Sequence, residues 1–185
     1  AIAASEVVSR MHDQVAPAMM EGMWNKRFPG LIPDDIVIAE PLAENSFYLE
    51  GHELRVVATG HSDTDDTTCL YVPSLELVVA GDVVYNGVHQ YLSESTTHEK
   101  RLDWLAALDA IDALKPKIVI AGHKRSANAD GPEVIEETRQ YIRDFDRLVN
   151  ETSSTPQLYE AMLALYPERI NPGALWGSAR AVKGF

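Results

Sequence analysis

The chain has 185 residues, 45% of them hydrophobic and 24% charged, which is enough to bury one sizeable core, so a single domain over residues 1–185 is expected. The formal net charge of −12 argues against nucleic acid or an anionic membrane as a partner, and no apolar stretch approaches the ~20 residues that span a bilayer. Cys69 is the only cysteine, which excludes an internal disulfide and indicates a reducing, cytoplasmic compartment.

The N-terminal region predicts a helix followed by short strands. Ser5 is the candidate N-cap of an amphipathic helix that runs towards Trp24, and Pro17 is expected to kink or split it. Residues 36–39 and 46–49 are predicted as short strands that lead through tight turns into a longer central strand. This spacing is typical of an antiparallel meander.

The central region repeats one pattern three times: an apolar strand stops at a glycine, and a side chain able to bind a metal follows at once. The three glycine–ligand pairs are Gly60-His61, Gly81-Asp82 and Gly122-His123. Glycine lets the backbone turn sharply and approach a ligand closely, and the ends of neighbouring strands in one sheet lie side by side. We therefore expect His61, Asp82 and His123 to converge on one metal site. Nitrogen and oxygen donors of this kind suit zinc, with manganese or iron as alternatives.

Two other features surround this pattern. Cys69 lies in an apolar strand, residues 67–72, and a buried, inert thiol is expected. Residues 83–91 are predicted as a loop that mixes polar and aromatic side chains, which is typical of a pocket wall beside a site. For His89, a place in such a pocket wall and an ordinary position in a loop are two equally weighted alternatives.

The C-terminal part alternates helix and strand. An amphipathic helix over residues 99–114, with Trp104 on its core face, is followed directly by an apolar strand over residues 117–121. Further helices are predicted after Pro132, after Thr155-Pro156 and over residues 171–180. A helix that returns into a fully apolar strand is typical of an α/β fold.

With GHSDTDD, AGDVVYNGVH and AGHK in this order, the chain resembles the metallo-β-lactamase-fold hydrolase superfamily over nearly its whole length. The resemblance implies an αββα sandwich with a dinuclear metal site, usually of zinc, at one edge. It also implies a role for each of the three predicted ligands. His61 corresponds to a ligand of the first metal, Asp82 to the carboxylate that bridges both metals, and His123 to a ligand of the second.

One departure from the family pattern is large. The motif His-x-His-x-Asp-His, which should precede the first helix and supply the other metal ligands, is absent from these residues. We therefore expect the chain to be truncated at its N-terminus, rather than to be a natural protein without half of its site. Three ligands on rigid strands are expected to hold zinc only weakly, so the isolated chain should have little or no hydrolytic activity.

For the intact protein the resemblance implies hydrolysis of an ester, thioester, lactone or amide bond in a small-molecule substrate by a metal-activated hydroxide. Candidates for contacts with that substrate are Tyr85, Asn86, His89 and Lys124. Candidates for orienting His61 from behind are Asp63, Asp65 and Asp66.

Two alternatives of other classes remain at this point: a binding or scaffold protein of the same fold without catalysis, and a half-site subunit that another chain completes. A serine hydrolase is disfavoured because the sequence has no G-x-S-x-G motif, and phosphate-loop and dinucleotide fingerprints are absent as well. Missing N-terminal strands would uncover a sheet edge or an apolar face, so a homo-oligomer is a further expectation.

Overall fold

The structure is a computed structural model and describes residues 1–184. Its backbone divides into two compact units, a first unit formed by Ala1–Phe47 and a second unit that begins at Tyr48. Each unit is described by itself below. The single-domain organisation stays a prediction.

The first unit contains a broken helix and two very short strands. Its elements are β1 (Ile2–Ala3), α1 (Ser5–Gln14), α2 (Pro17–Met19), a π-helical turn (Met20–Trp24), α3 (Asn25–Arg27) and β2 (Glu40–Pro41). The helix breaks before Pro17, as predicted, because the residue in front of a proline is pushed into an extended conformation.

Two details of the first unit differ from the sequence prediction. Ser5 is not the N-cap: Ala4 occupies that position in an extended conformation, and no side chain caps the helix. Residues 36–39 do not form a strand, and pairing is limited to β2, which runs parallel to β1. Pro41 has no N–H group with which to extend that ladder.

The sheet of the second unit fixes the direction in which each glycine–ligand pair is delivered. Its strands are β3 (Ser46–Leu49), which spans the boundary between the units, β4 (His52–Gly60), β5 (Thr67–Val72), β6 (Leu77–Asn86) and β7 (Ile118–Lys124), in the order β3-β4-β5-β6-β7. Strand β5 is antiparallel to β4 and to β6, and β6 is parallel to β7. Strands β4, β6 and β7 therefore share one direction. Their carboxyl-terminal ends lie on the same side of the sheet, which is called its carboxyl edge below.

Only β4 stops at its glycine. Strand β6 continues through Gly81-Asp82 to Asn86, with register shifts on both sides of Gly81, and β7 continues through Gly122-His123 to Lys124. Gly81 has a φ angle of 55°, a left-handed conformation that glycine adopts without strain. The predicted loop over residues 83–91 is thus a strand as far as Asn86.

Four helices complete the second unit: α4 (His98–Asp112), α5 (Glu133–Glu151), α6 (Thr155–Leu165) and α7 (Pro172–Lys183). Thr97 caps α4 by accepting a hydrogen bond from the Lys100 backbone N–H, and Ser154, rather than Thr155, caps α6. None of the helices within residues 1–184 combines the length and the hydropathy that a membrane crossing requires.

The core of the second unit forms where α4 and α5 pack against the sheet. Its fully buried members include Val78 of β6, Val119 of β7, Trp104 of α4 and Phe145 of α5. The indole Nε1 of Trp104 donates a hydrogen bond of 2.9 Å to the carbonyl oxygen of Val83. The helix thereby fixes β6 just beyond the Gly81-Asp82 step.

Cys69 is buried within β5, as predicted. Burial raises the pKa of its thiol to about 11, because a buried thiolate lacks solvation. The reactive thiolate is therefore scarce at neutral pH, which agrees with an inert, structural thiol.

Replacing Trp104 with Phe tests this anchoring of β6. The variant leaves the buried carbonyl oxygen of Val83 without its donor, so we expect the free energy of unfolding to fall by about 2–3 kcal/mol in urea titrations. Trp176→Phe is the matched control, since Trp176 is 40% exposed and its contact with Tyr159 is a ring edge, and a loss below about 1 kcal/mol is expected there. Equal losses in the two variants would contradict this assignment.

Candidate functional site

Asp82 and His123 meet at the carboxyl edge of the parallel strand pair. They lie on β6 and β7, and Asp82 Oδ2 is 3.4 Å from His123 Nε2. The side chain of His123 is 54% exposed and that of Asp82 37% exposed, so both reach solvent. Sequence positions far apart thus place one carboxylate and one imidazole side by side at an accessible edge.

Gly122 makes this approach sterically possible. A Cβ atom at position 122 would lie 2.0 Å from Asp82 Oδ1 and 2.6 Å from the carbonyl carbon of Gly81. Both distances are far inside van der Waals contact, and the second involves backbone that has little freedom to move. Glycine is therefore required here, because the Asp82 carboxylate lies directly against the backbone of β7.

Tyr85 forms the buried wall behind His123. Its ring stacks on the imidazole with 5.4 Å between the ring centroids, and its other neighbour is the indole of Trp104 at 6.1 Å. Burial, together with the negative charges of Asp63 and Asp82, raises the pKa of Tyr85 well above its ordinary value. The phenol is neutral at physiological pH, and its ring restricts the orientation of His123.

His61 follows β4 at the same edge but has other partners. Its Nδ1 is 2.6 Å from Asp65 Oδ1, and its Nε2 is 2.8 Å from Ser95 Oγ. The Asp65 contact agrees with the predicted role of this aspartate in orienting His61. Both ring nitrogens are thus hydrogen-bonded within the protein.

Asp63 is a second carboxyl group that interacts electrostatically with Asp82. Burial and, next, the negative charge of Asp82 raise the pKa of the Asp63 carboxyl to about 6. It accepts hydrogen bonds from the hydroxyl of Ser62, at 3.1 Å, and from the backbone of Thr64. Asp63 therefore adds a second carboxyl group to the electrostatic environment of the Asp82–His123 pair.

The three predicted ligands do not form one cluster in this structure. Within residues 1–184 no group of three or more histidine, cysteine, aspartate or glutamate side chains is arranged to hold a metal ion. Asp82 and His123 come together, and His61 remains bonded to Asp65 and Ser95. The donor chemistry of the pair fits zinc, but two donors fill half of a tetrahedral site, so the described residues do not by themselves fit a complete metal centre.

Three of the four predicted substrate contacts disagree with the burial of the side chains. Tyr85, Asn86 and His89 have 1%, 1% and 0% of their surface exposed; Tyr85 and Asn86 belong to β6, which continues into the predicted loop, and His89 is buried just beyond it. The Asn86 amide donates to the carbonyl oxygen of Ala129, and His89 Nδ1 is 2.9 Å from the hydroxyl of Tyr141. These three residues are structural in this arrangement.

Lys124 remains near the edge of the site. Its ammonium group lies 2.7 Å from Asp130 Oδ1, and its side chain is 27% exposed. Ser95 was not predicted at all, because the polar residues 93–97, which include two serines, carry no motif or periodicity.

Comparison with known proteins identifies the family. The sequence profile of the metallo-β-lactamase superfamily matches residues 2–123, well over half of the chain. The chain belongs to this superfamily. No curated protein matches the chain significantly.

Solved structures of metallo-β-lactamase proteins share the fold. The chain is similar to a metallo-β-lactamase family protein from Thermus thermophilus, with a TM-score of 0.58 and 20% identity over 96% of this chain and 57% of that one. It is also similar to metallo-β-lactamase IND-7 (TM-score 0.53, 14% identity, 77% and 56% covered) and to VMB-1 (TM-score 0.52, 15% identity, 77% and 56% covered). The chain spans a little more than half of each of these proteins.

Membership of the metallo-β-lactamase superfamily confirms the predicted α/β fold class and suggests a metal-dependent, hydrolase-like function. At these identities the similar structures show the fold alone. The chemistry of this chain therefore has to be argued from its own residues at the sheet edge.

Gly122→Ala tests the close approach of the two strands. The added methyl group collides with Asp82 and the Gly81 backbone, so we expect the free energy of unfolding to fall by about 1–3 kcal/mol in urea. Gly173→Ala is the matched control, because its Cβ would meet its nearest neighbour, Asn171 Oδ1, at an ordinary 3.8 Å. If the Gly122→Ala variant is as stable as the wild type, Asp82 does not lie against β7.

The burial of His89 predicts an acid-dependent loss of stability. Burial and, next, the charge of Arg169 lower the pKa of His89 to about 4 in the folded chain, below the ordinary value of 6.5. The unfolded chain then binds the proton more readily, so His89 stabilises the fold fully above pH 6.5 and progressively less as pH falls towards 4.

We expect His89→Gln to lose less stability than wild type between about pH 7 and pH 4.5 in urea titrations, with a difference of at most ~3 kcal/mol. His52→Gln changes an exposed histidine at the start of β4 and should follow the wild-type curve. The prediction fails when His89→Gln and wild type lose the same stability over this range.

Proposed function

We propose that the protein is a metal-dependent hydrolase that cleaves an ester, thioester, lactone or amide bond in a small-molecule substrate. Its superfamily supports this proposal, and so does one observation at the site: an exposed carboxylate and an exposed imidazole lie 3.4 Å apart at the carboxyl edge of two parallel strands. These two donor types are typical of zinc, manganese and iron sites.

We infer zinc as the metal, with Asp82 and His123 as its first two ligands and His61 as the third. The contact between His61 Nδ1 and Asp65 supports a ligand role for His61, because metal-binding histidines commonly donate their other ring N–H to a carboxylate. The remaining ligands of a dinuclear centre are not among the clustered residues. Lys124, which is partly exposed, is the candidate for contact with the substrate.

The experiment uses the complete product of the gene, purified without chelator. We expect stoichiometric metal by mass spectrometry and metal-dependent hydrolysis of a generic ester or lactone. Asp82→Asn and His123→Ala should each lower turnover at least about 100-fold, since losing even an outer partner of a metal ligand costs about 10–100-fold. Lys117→Ala, which changes an exposed side chain at the opposite end of β7, is the matched control.

The 185-residue chain is assayed in parallel with added zinc or manganese. We expect little or no turnover from it, because its described residues bring only two ligands together. Metal-dependent turnover by this chain would show that its own residues complete the site. Absence of metal and of turnover in the complete product would instead support the scaffold alternative.

One observation also favours a half-site subunit as the second candidate. Asp82 and His123 are assembled and exposed without a third ligand among residues 1–184, which is the arrangement that a partner chain could complete. A second copy is the simplest partner, so a homo-oligomer with metal bound between copies is the form to look for by light scattering. A monodisperse monomer with or without zinc would exclude that form.

A further inference from the structure

Two buried polar atoms in the segment after β6, His89 Nε2 and Gln90 Oε1, have no hydrogen-bond partner among the residues that the structure describes. Both side chains are 0% exposed, so bulk solvent does not reach them. A buried polar group without a partner costs free energy, and most buried polar groups in native proteins are paired with protein atoms or with ordered water. Two unpaired atoms on successive residues therefore indicate a bound molecule.

The orientation of the Gln90 amide follows from its other contact. Gln90 Nε2 donates a hydrogen bond of 3.2 Å to the backbone carbonyl oxygen of Thr138 in α5. A flipped amide would place two oxygen atoms against each other, and neither of them can donate. The unpaired atom of Gln90 is therefore the oxygen, which needs a donor.

The contact with Tyr141 determines which nitrogen of His89 carries the hydrogen. The Tyr141 hydroxyl oxygen accepts a hydrogen bond from the Gln90 backbone N–H and lies 2.9 Å from His89 Nδ1. Within residues 1–184, Nδ1 is the one acceptor in contact with the hydroxyl hydrogen, so Tyr141 donates to it. A neutral imidazole has a single N–H group, which is then at Nε2. The unpaired atom of His89 is therefore a donor, which needs an acceptor.

Both side chains face the same stretch of α5. Thr138 and Tyr141, which contact them, are three positions apart in the helix, so they lie on one face of it, and both are buried. The N–H of His89 is itself held by the carbonyl oxygen of Ile170 at 2.8 Å. These contacts keep the two side chains in the interior, so the missing donor and the missing acceptor have to be supplied there.

We propose that one buried water molecule bridges His89 and Gln90. The water accepts a hydrogen bond from Nε2–H of His89 and donates one to Oε1 of Gln90. Water combines an acceptor and a donor in one small neutral molecule, whereas a simple anion could only accept and an ammonium ion could only donate. The segment after β6 thus contacts α5 through a hydrated, polar joint. The proposal needs no metal at the carboxyl edge and is independent of the proposed function.

The first test uses the wild-type 185-residue chain in solution. Long-range nitrogen–proton NMR spectra should show the hydrogen of the His89 ring on Nε2 and none on Nδ1. Nuclear Overhauser spectra should show transfer from a long-lived water molecule to the two carbon-bound hydrogens beside Nε2. The opposite tautomer, or no transfer from water, overturns the proposal.

A variant then tests the second anchor of the water. Gln90→Met keeps a side chain of similar length and removes the acceptor oxygen, so we expect the transfer from water to the His89 ring to be lost. Gln140→Met is the matched control, because Gln140 is an exposed glutamine of α5 that donates to Asp144, and there the transfer should remain. A transfer that persists unchanged in Gln90→Met overturns the proposal.

If Gln90→Met does not fold, a high-resolution crystal structure of the wild type decides the question. Electron density for one water within hydrogen-bonding distance of both His89 Nε2 and Gln90 Oε1 supports the proposal. A direct hydrogen bond between these two atoms, or a separate water at each of them, overturns it.

Discussion

The site depends on the close contact between β6 and β7 at Gly81 and Gly122. In a pleated sheet side chains point away from the sheet plane, so a side chain does not normally lie against the backbone of the next strand. Here Gly122 has no Cβ, and the Asp82 carboxylate occupies that space against the backbone of β7. The register shifts on both sides of Gly81 turn Asp82 towards His123. The carboxylate that this contact places lies beside His123, and its negative charge adds to the burial that raises the pKa of the Asp63 carboxyl.

The sequence predicted the features of the fold that depend on the pattern of apolar residues and glycines. Apolar strands followed by glycine and a ligand predicted strand ends that lie side by side in one sheet, and the helix with Trp104 followed by an apolar strand predicted an α/β fold. The pairing of Asp82 with His123 followed from strand direction. The extension of β6 to Asn86 was missed, because its residues read as a polar and aromatic loop, and burial under α5 decides their state.

The sequence offered Asp65 as one of three candidate partners of His61, but it could not choose among them or find Ser95. The partners of this histidine are one acidic residue among several in residues 63–66 and one serine in a polar stretch. Which of these reaches the ring depends on how the first turn of α4 is anchored by Arg101 and Asp146, which lie 45 positions apart. Buried ion pairs of this kind contribute little to stability on balance, but they restrict the positions of the groups they hold.

The same argument explains why superfamily membership does not by itself determine the chemistry of this chain. A fold places the ends of β4, β6 and β7 at one edge, but a ligand also needs a free lone pair. His123 has its Nε2 beside a carboxylate at a solvent-exposed edge, whereas both nitrogens of His61 are hydrogen-bonded within the protein. The hydrogen bonds around a side chain, and not only the strand that carries it, therefore decide whether that side chain is available at the edge.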